Sequence, residues 1–365
     1  MRTAIAMAAG GGGDAVTAAM LARAMPDLGI AAIMSYLWDR FMLDPAPGPR
    51  VRTDFDGLGD RGGVAEVLQT AALRTGTSTL PRLAGCIARP LLLLKAVAGA
   101  DGLADLMSRT VEAFDADELL VVDVGGDILA EGHETALRTP VADSLALAAA
   151  AQSGIATRVL VAGPGLDGEL SPTEVSARLD NLQARQAGEL TLRDAAPFVA
   201  VWSWHPSEAN ALLAAAASGW RGTVETQRAA RVELTDASPR VYEVDAGTLV
   251  DSSLAASLVS TTSLEQAEQR LRERRGGRSE LDIERSRAGS GRAEVRTPSM
   301  ESLDVIDRYI ELSVGVDALT VRRVAEMVRA IDPPTTEALR QLLSRTRPRN
   351  FHPPLYLTRA DISAY

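Results

Sequence analysis

From the N-terminus to about residue 235, short apolar runs alternate with amphipathic or Ala-rich segments. That alternation constrains the fold more than any single motif does. Apolar runs bounded by Gly, Pro and Asp read as strands at residues 3–9, 29–37, 118–124, 156–162 and 197–202. Segments 15–25, 64–74, 101–114, 141–152, 172–186 and 206–218 carry helical spacing or helix-start signals, with Asp14 as the N-cap of the first. Residues 90–97 fit strand or helix equally well, and 232–234 with 241–244 read as a late hairpin. Runs that are apolar throughout belong to strands buried on both faces, as in a parallel sheet covered by helices. Right-handed crossovers then give an α/β, doubly wound, mostly parallel sheet of Rossmann-like form.

The 365 residues exceed one small core and suit a large α/β domain with an appendage. Composition shifts near residue 262, so residues 1–262 are expected to form the α/β domain. Residues 263–300 then read as a charged linker, helical over 265–275 and exposed and mobile over 276–299. Apolar spacing at Leu303, Ile306, Ile310 and at Val321, Val324, Val328 predicts a small helical module over 301–365. A net charge of -10 argues against general nucleic-acid binding. The single cysteine, Cys86, excludes an intrachain disulfide framework and a cysteine-based zinc site, and reads as a small buried residue. The first apolar run breaks at glycines, which favours a strand over a signal peptide, and no run is long enough for a membrane span. A soluble, cytoplasmic chain without a membrane partner, and with homodimerisation open to it, is the expectation.

Ligands of an open parallel sheet sit outside the carboxyl ends of its strands. Four segments expected there share a composition of glycines and carboxylates. The first is Gly10, Gly11, Gly12, Gly13 and Asp14; with the helix N-terminus behind it, it suits an anion such as phosphate. It lacks the lysine of a phosphate-binding P-loop and the spacing of a dinucleotide fingerprint, so it can equally be a tight turn packed against its helix. In the second, Asp123 and Asp127 flank Gly125 and Gly126. Two carboxylates at such a turn can share Mg²⁺ or Mn²⁺, or orient a substrate hydroxyl or amine; the plainer alternative is a solvated loop. Gly163, Gly165 and Gly168 surround Asp167 in the third, which ends in Glu169. The fourth offers His205 with Glu208 as a general acid/base pair, against a purely structural histidine before proline. Trp202 and Trp204 alternate, so one belongs to the core and the other can wall a pocket. Asp39 could meet a ribose hydroxyl or pair with Arg40 on the surface. No pattern calls for NAD, PLP or haem.

Taken together, residues 10–14, Trp38-Asp39-Arg40, residues 47–50, residues 122–127 and residues 163–170 resemble the "domain of unknown function eleven-fifty-two" family of archaea and bacteria, over about residues 3–245. The resemblance implies the site and not a reaction.

These residues lead to an enzyme of bacterial biosynthetic metabolism acting on a small anionic metabolite, phosphorylated or nucleotide-like, with metal assistance. The glycine run would hold the anion. Asp123 and Asp127 would hold the metal or act on substrate, with Asp14, Asp167 and Glu169 in support. A metabolite sensor without catalysis, or a metal-assisted lyase or cyclase, is the alternative.

Overall fold

The computed structural model describes residues 2–39, 43–44, 46–289 and 294–359. In chain order its framing elements are strand β1 (Ala4–Ala8), helix α1 (Gly12–Ala24), strands β2 (Ile30–Ser35) and β3 (Leu91–Leu93), helix α2 (Gly99–Ala113) and strand β4 (Glu118–Val124). Helix α3 (Pro140–Gln152), strand β5 (Thr157–Ala162), helix α4 (Pro172–Asn181), strand β6 (Arg185–Glu189) and helix α5 (Ala209–Ala217) follow. Next come strands β7 (Gly222–Glu225), β8 (Arg231–Leu234) and β9 (Arg240–Asp245), then helices α6 (Leu264–Arg274), α7 (Glu280–Gly289) and α8 (Met300–Leu312). The last are strand β10 (Ala318–Thr320), helices α9 (Val321–Met327) and α10 (Pro333–Thr346), and strands β11 (Phe351–His352) and β12 (Leu355–Leu357).

Five parallel strands lie in the order β5-β4-β1-β2-β3. This is the strand order of the Rossmann fold, and the direction of winding reverses between β1 and β4. The fold is thus α/β and mostly parallel, as the apolar runs require. Antiparallel strands extend both edges: β9 and then β6 beside β5, and the pair Gly59–Arg61 and Val64–Glu66 beside β3. Helices α1 and α5 share one core with one face of the sheet; α2 and α3 share another with the opposite face. Helix α3 is apolar almost all round and buried over most of its length, as a helix enclosed by protein must be.

A second sheet has the order β8-β7-β10-β12-β11. Val224, Val232, Leu355 and Leu357 join the core of α1 and α5, whereas Leu319 and Tyr356 pack with α8, α9 and α10. The parallel pairing of β7 with β10 therefore ties the C-terminal helices to the α/β body. Among the described residues, no helix is long and apolar enough to cross a membrane.

Several local expectations are corrected. Residues 64–74 are not a helix: Gly62 and Gly63, both at positive φ, form a two-residue turn that pairs Arg61 with Val64. The helix opened by Pro172 stops at Asn181, and 185–189 is strand β6. Residues 197–202 are helical, in two short pieces, and not a strand. A brief apolar run fits either state, and here Val201 and Trp202 are buried from a helical turn. Strands β8 and β9 belong to different sheets and form no hairpin. Asp14 is not an N-cap, since Gly11 caps α1 and Asp14 lies in its first turn. Cys86 is exposed. The segment 276–299 contains α7, whose Leu281 enters the core. The C-terminal helices are present, with strands β10, β11 and β12 among them.

Candidate functional site

At the reversal between β1 and β4 lies a cavity of about 130 Å³. Gly10, Gly12, Gly13 and Asp14 supply one wall from the β1–α1 turn. Asp123 and Asp127 come from the end of β4, Asp143 from α3, Asp167 and Glu169 from the loop after β5, and His205 and Glu208 from the loop before α5. All four segments singled out in the sequence converge here, although the fourth does not follow a strand. Gly11, Gly125, Gly126, Gly163, Gly165 and Gly168 do not line the cavity.

The absent glycines shape the turns that do. At Gly125, φ is +113°, and a Cβ would stand 2.3 Å from the Asp167 carboxyl carbon. The loop after β5 thus closes directly on the β4 turn, where Asp167 Oδ2 accepts the Asp127 N–H at 3.2 Å and its Oδ1 accepts the Glu169 N–H at 2.8 Å. At Gly13 a Cβ would fall 2.5 Å from Ser207 Oγ and Asn210 Nδ2, so α1 and α5 meet through this residue. Asn210 donates to Asp14 Oδ1 at 3.0 Å, and the Gly10 N–H donates to Asp14 Oδ2 at 2.7 Å.

The floor is acidic. Asp14, Asp123 and Asp143 are buried, and one carboxylate oxygen from each lies within 4.8 Å of the others. Asp123 Oδ2 and Asp143 Oδ1 are buried without a hydrogen-bond partner. Two like charges about 4 Å apart at a partly buried site repel by about 4 kcal/mol, so such a cluster must bind protons or a cation. Burial first, then the neighbouring carboxylates, push Asp123, Asp127 and Asp143 well above the usual carboxylate range. Asp167 is raised to about 7 by burial and by Glu169. The Tyr36 hydroxyl, buried and unpartnered, is likewise raised, by burial and then by Asp143.

Other carboxylates of the wall serve the scaffold. Glu169 accepts the Arg138 and Thr139 N–H groups and the Thr139 hydroxyl, and Glu280 of α7 accepts the Val141 N–H. Together they cap the N-terminus of α3, the helix that carries Asp143. Asp39 accepts the N–H and the hydroxyl of Thr79; Arg40 lies outside the described residues. Arg138 and Arg322 bring positive charge to the wall.

His205 and Glu208 do not form the expected acid/base pair. Glu208 accepts the Gln227 N–H at 3.0 Å and the Thr320 hydroxyl, which joins the pocket wall to β10. His205 Nδ1 accepts the Ser207 N–H, while burial and then Arg340 lower its pKa to about 3. A neutral ring accepting through Nδ1 carries its hydrogen on Nε2, and that atom is buried without a partner. Trp202 is core and Trp204 half-buried, as their spacing requires. His133 is exposed beside Glu131, and His352 contacts the Arg349 carbonyl; neither lines the cavity.

Sequence reasoning missed Glu280 and, as a site residue, Asp143. Asp143 had a signal: one carboxylate in a helix otherwise built of Ala, Leu and Val. Glu280 had none, because its segment reads as a polar linker.

A family model described as "Protein of unknown function (DUF1152)" matches residues 5–288. The chain belongs to this family. The DUF1152 match spans β1 to α7, and so every acidic residue of the cavity floor. Comparisons with curated proteins and with solved structures returned no match.

Proposed function

We propose that this DUF1152 protein is an enzyme that acts on a small anionic metabolite with the help of a divalent cation, Mg²⁺ or Mn²⁺. The observation that carries the reading is the buried triad of Asp14, Asp123 and Asp143, two of whose carboxylates each keep a buried oxygen without a hydrogen-bond partner. Hard cations take oxygen ligands and keep open positions for water or substrate oxygens. A cation bound there would polarise an oxygen of the substrate's phosphate or carboxylate. The N-terminus of α1, which has no side-chain cap, and Arg138 lie in the same wall and favour negative charge. Asp127 would exchange a proton with substrate; burial and its acidic neighbours favour its protonated form. Placement at the strand-order reversal supports a phosphorylated or nucleotide-like ligand, as in other doubly wound sheets. The cytoplasm is the compartment that suits such a reaction.

Titration of Mn²⁺ into the protein at pH 8, read by calorimetry or spin resonance, is the test. One site is expected, weakened by at least about tenfold in Asp123→Asn and Asp143→Asn. With Mn²⁺ bound, a thermal-shift screen of nucleotides and sugar phosphates should then identify the ligand class. Wild-type protein that binds no divalent cation between pH 7 and 8 would overturn the proposal. A ligand that binds without ever being turned over would reassign the protein as a sensor.

A further inference from the structure

A second cavity, about 280 Å³, adjoins the acidic one and shares Thr79, Pro206 and Arg322 with it. Its walls come from two regions of the chain. Residues 77–79, Arg82 and Trp204 belong to the α/β body; Pro333, Thr336, Glu337 and Arg340 belong to α10, outside the residues matched by the family model.

Its character is opposite to that of its neighbour. The Arg82 guanidinium stacks over the Trp204 ring at 4.2 Å. Arg340 donates to the Ser203 carbonyl, but its Nε is buried and has no partner. Desolvation, joined by the charge of Arg82, lowers the Arg340 pKa to about 10, against the opposing pull of Glu337. Two cationic groups are thus held within reach of each other beside apolar walls. The one carboxylate among the lining residues, Glu337, is exposed to water and opposes the desolvation of Arg340 only in part. A guanidinium fork presents paired donors that match an oxyanion, and a stacked guanidinium is already oriented to do so. Leu43, Pro206 and Pro333 can cover a flat apolar body. Past Arg340 the space continues as an open groove with Arg345 and Phe351, so a ligand need not be short.

We propose that this annex is a substrate subsite, in which Arg340 and Arg82 bind a phosphate or carboxylate carried on an apolar body. The inference rests on the reading of the acidic cavity as the reaction centre. The substrate would then be bipartite: one end at the carboxylates, the other held by arginines, with α10 completing the site. Substrate choice would reside partly in the C-terminal region.

The probes are phenyl phosphate and benzoate, titrated into the full chain in metal-free buffer with chelator present, by calorimetry and tryptophan fluorescence. We expect one of them to bind with one-to-one stoichiometry and to change Trp204 emission; which one binds distinguishes phosphate from carboxylate. Arg340→Ala should weaken that binding at least tenfold. Arg82→Ala, at an exposed position, should weaken it several-fold while leaving the melting temperature unchanged. Asp143→Asn should bind the probe as the wild type does, yet lose Mn²⁺. Failure of both probes to bind, or binding equal in the two arginine variants and the wild type, overturns the annex. Loss of Mn²⁺ binding in the wild type with probe binding intact overturns only the reading of the acidic cavity.

Discussion

At the residue scale, the cavity sets a conflict between stability and ligand binding. Carboxylates whose pKa is raised on folding hold protons that the unfolded chain has released. Their contribution to stability is complete below the ordinary carboxylate range near pH 4. It is lost as pH rises through the folded values, about 7 for Asp167 and well above the usual range for Asp123, Asp127 and Asp143. The cation-free wild type should therefore lose stability from about pH 4 upward, whereas an amide at position 123 has no charge to suppress. Asp123→Asn is predicted to melt above the wild type at pH 8 in chelator, by roughly 1–2 °C for each kcal/mol relieved in a chain of this length. Scanning calorimetry from pH 5 to pH 8 should show the gap widening with pH and closing when Mn²⁺ is added. A gap that does not change with pH would mean that the triad is not under electrostatic strain. His205 lies on the other side of this balance: its pKa is lowered to about 3 in the folded chain, so it costs stability as pH falls below the ordinary histidine value near 6.5, a dependence common to wild type and Asp123→Asn that cancels from the gap between them.

At the scale of elements, the site depends on turns that only glycine can form. Gly125 and Gly165 both have positive φ, but Gly165 has open space around its Cβ position while Gly125 meets Asp167. Replacing either with alanine costs about 1–3 kcal/mol of backbone strain. Gly125→Ala must also displace the Asp167 carboxylate that holds the Asp127 and Glu169 N–H groups. Urea unfolding should thus rank Gly125→Ala clearly below Gly165→Ala, and equal losses would deny the close approach any role. This dependence explains what was legible. Strand β4 could be read residue for residue, because an apolar run ending in Asp-Val-Gly-Gly has few other solutions. The glycine turns could be read because each departs from ordinary composition. Residues 64–74 and 197–202 could not, since local periodicity there matches two states and the sheet edge or helix contact decides between them. Helix α7 was hidden for a different reason. It is held by contacts that no local pattern encodes: Glu268 pairs with Arg285, Arg272 with Asp282, and Trp38 and the Gly48 N–H donate to Glu284.

For the whole molecule, the second sheet decides whether the C-terminal region is an appendage or part of the working protein. Strand β7 belongs by sequence to the α/β body and by pairing to β10, so neither region completes its sheet without the other. The junction is sealed by Glu225, 1% exposed on β7, which accepts from Arg323 Nε at 2.8 Å and from the Tyr309 hydroxyl at 2.5 Å. Breaking a buried charge pair from one side leaves the other charge uncompensated and costs about 3–5 kcal/mol. Arg323 keeps Glu326 at 2.8 Å, so Glu225→Ala should lower stability by less than that amount, and replacing Arg323 with Met in the same chain should recover much of the loss. Hydrogen exchange should show the loss first in α8, α9 and α10, with the parallel strands β1 and β4 still protected. The wild type should unfold in one cooperative transition, because Thr320 and Glu208 link β10 to the cavity wall as well. Two separate transitions in wild-type calorimetry, with the Mn²⁺ response confined to one, would show that α10 is not bound tightly enough to the body to shape a shared substrate site.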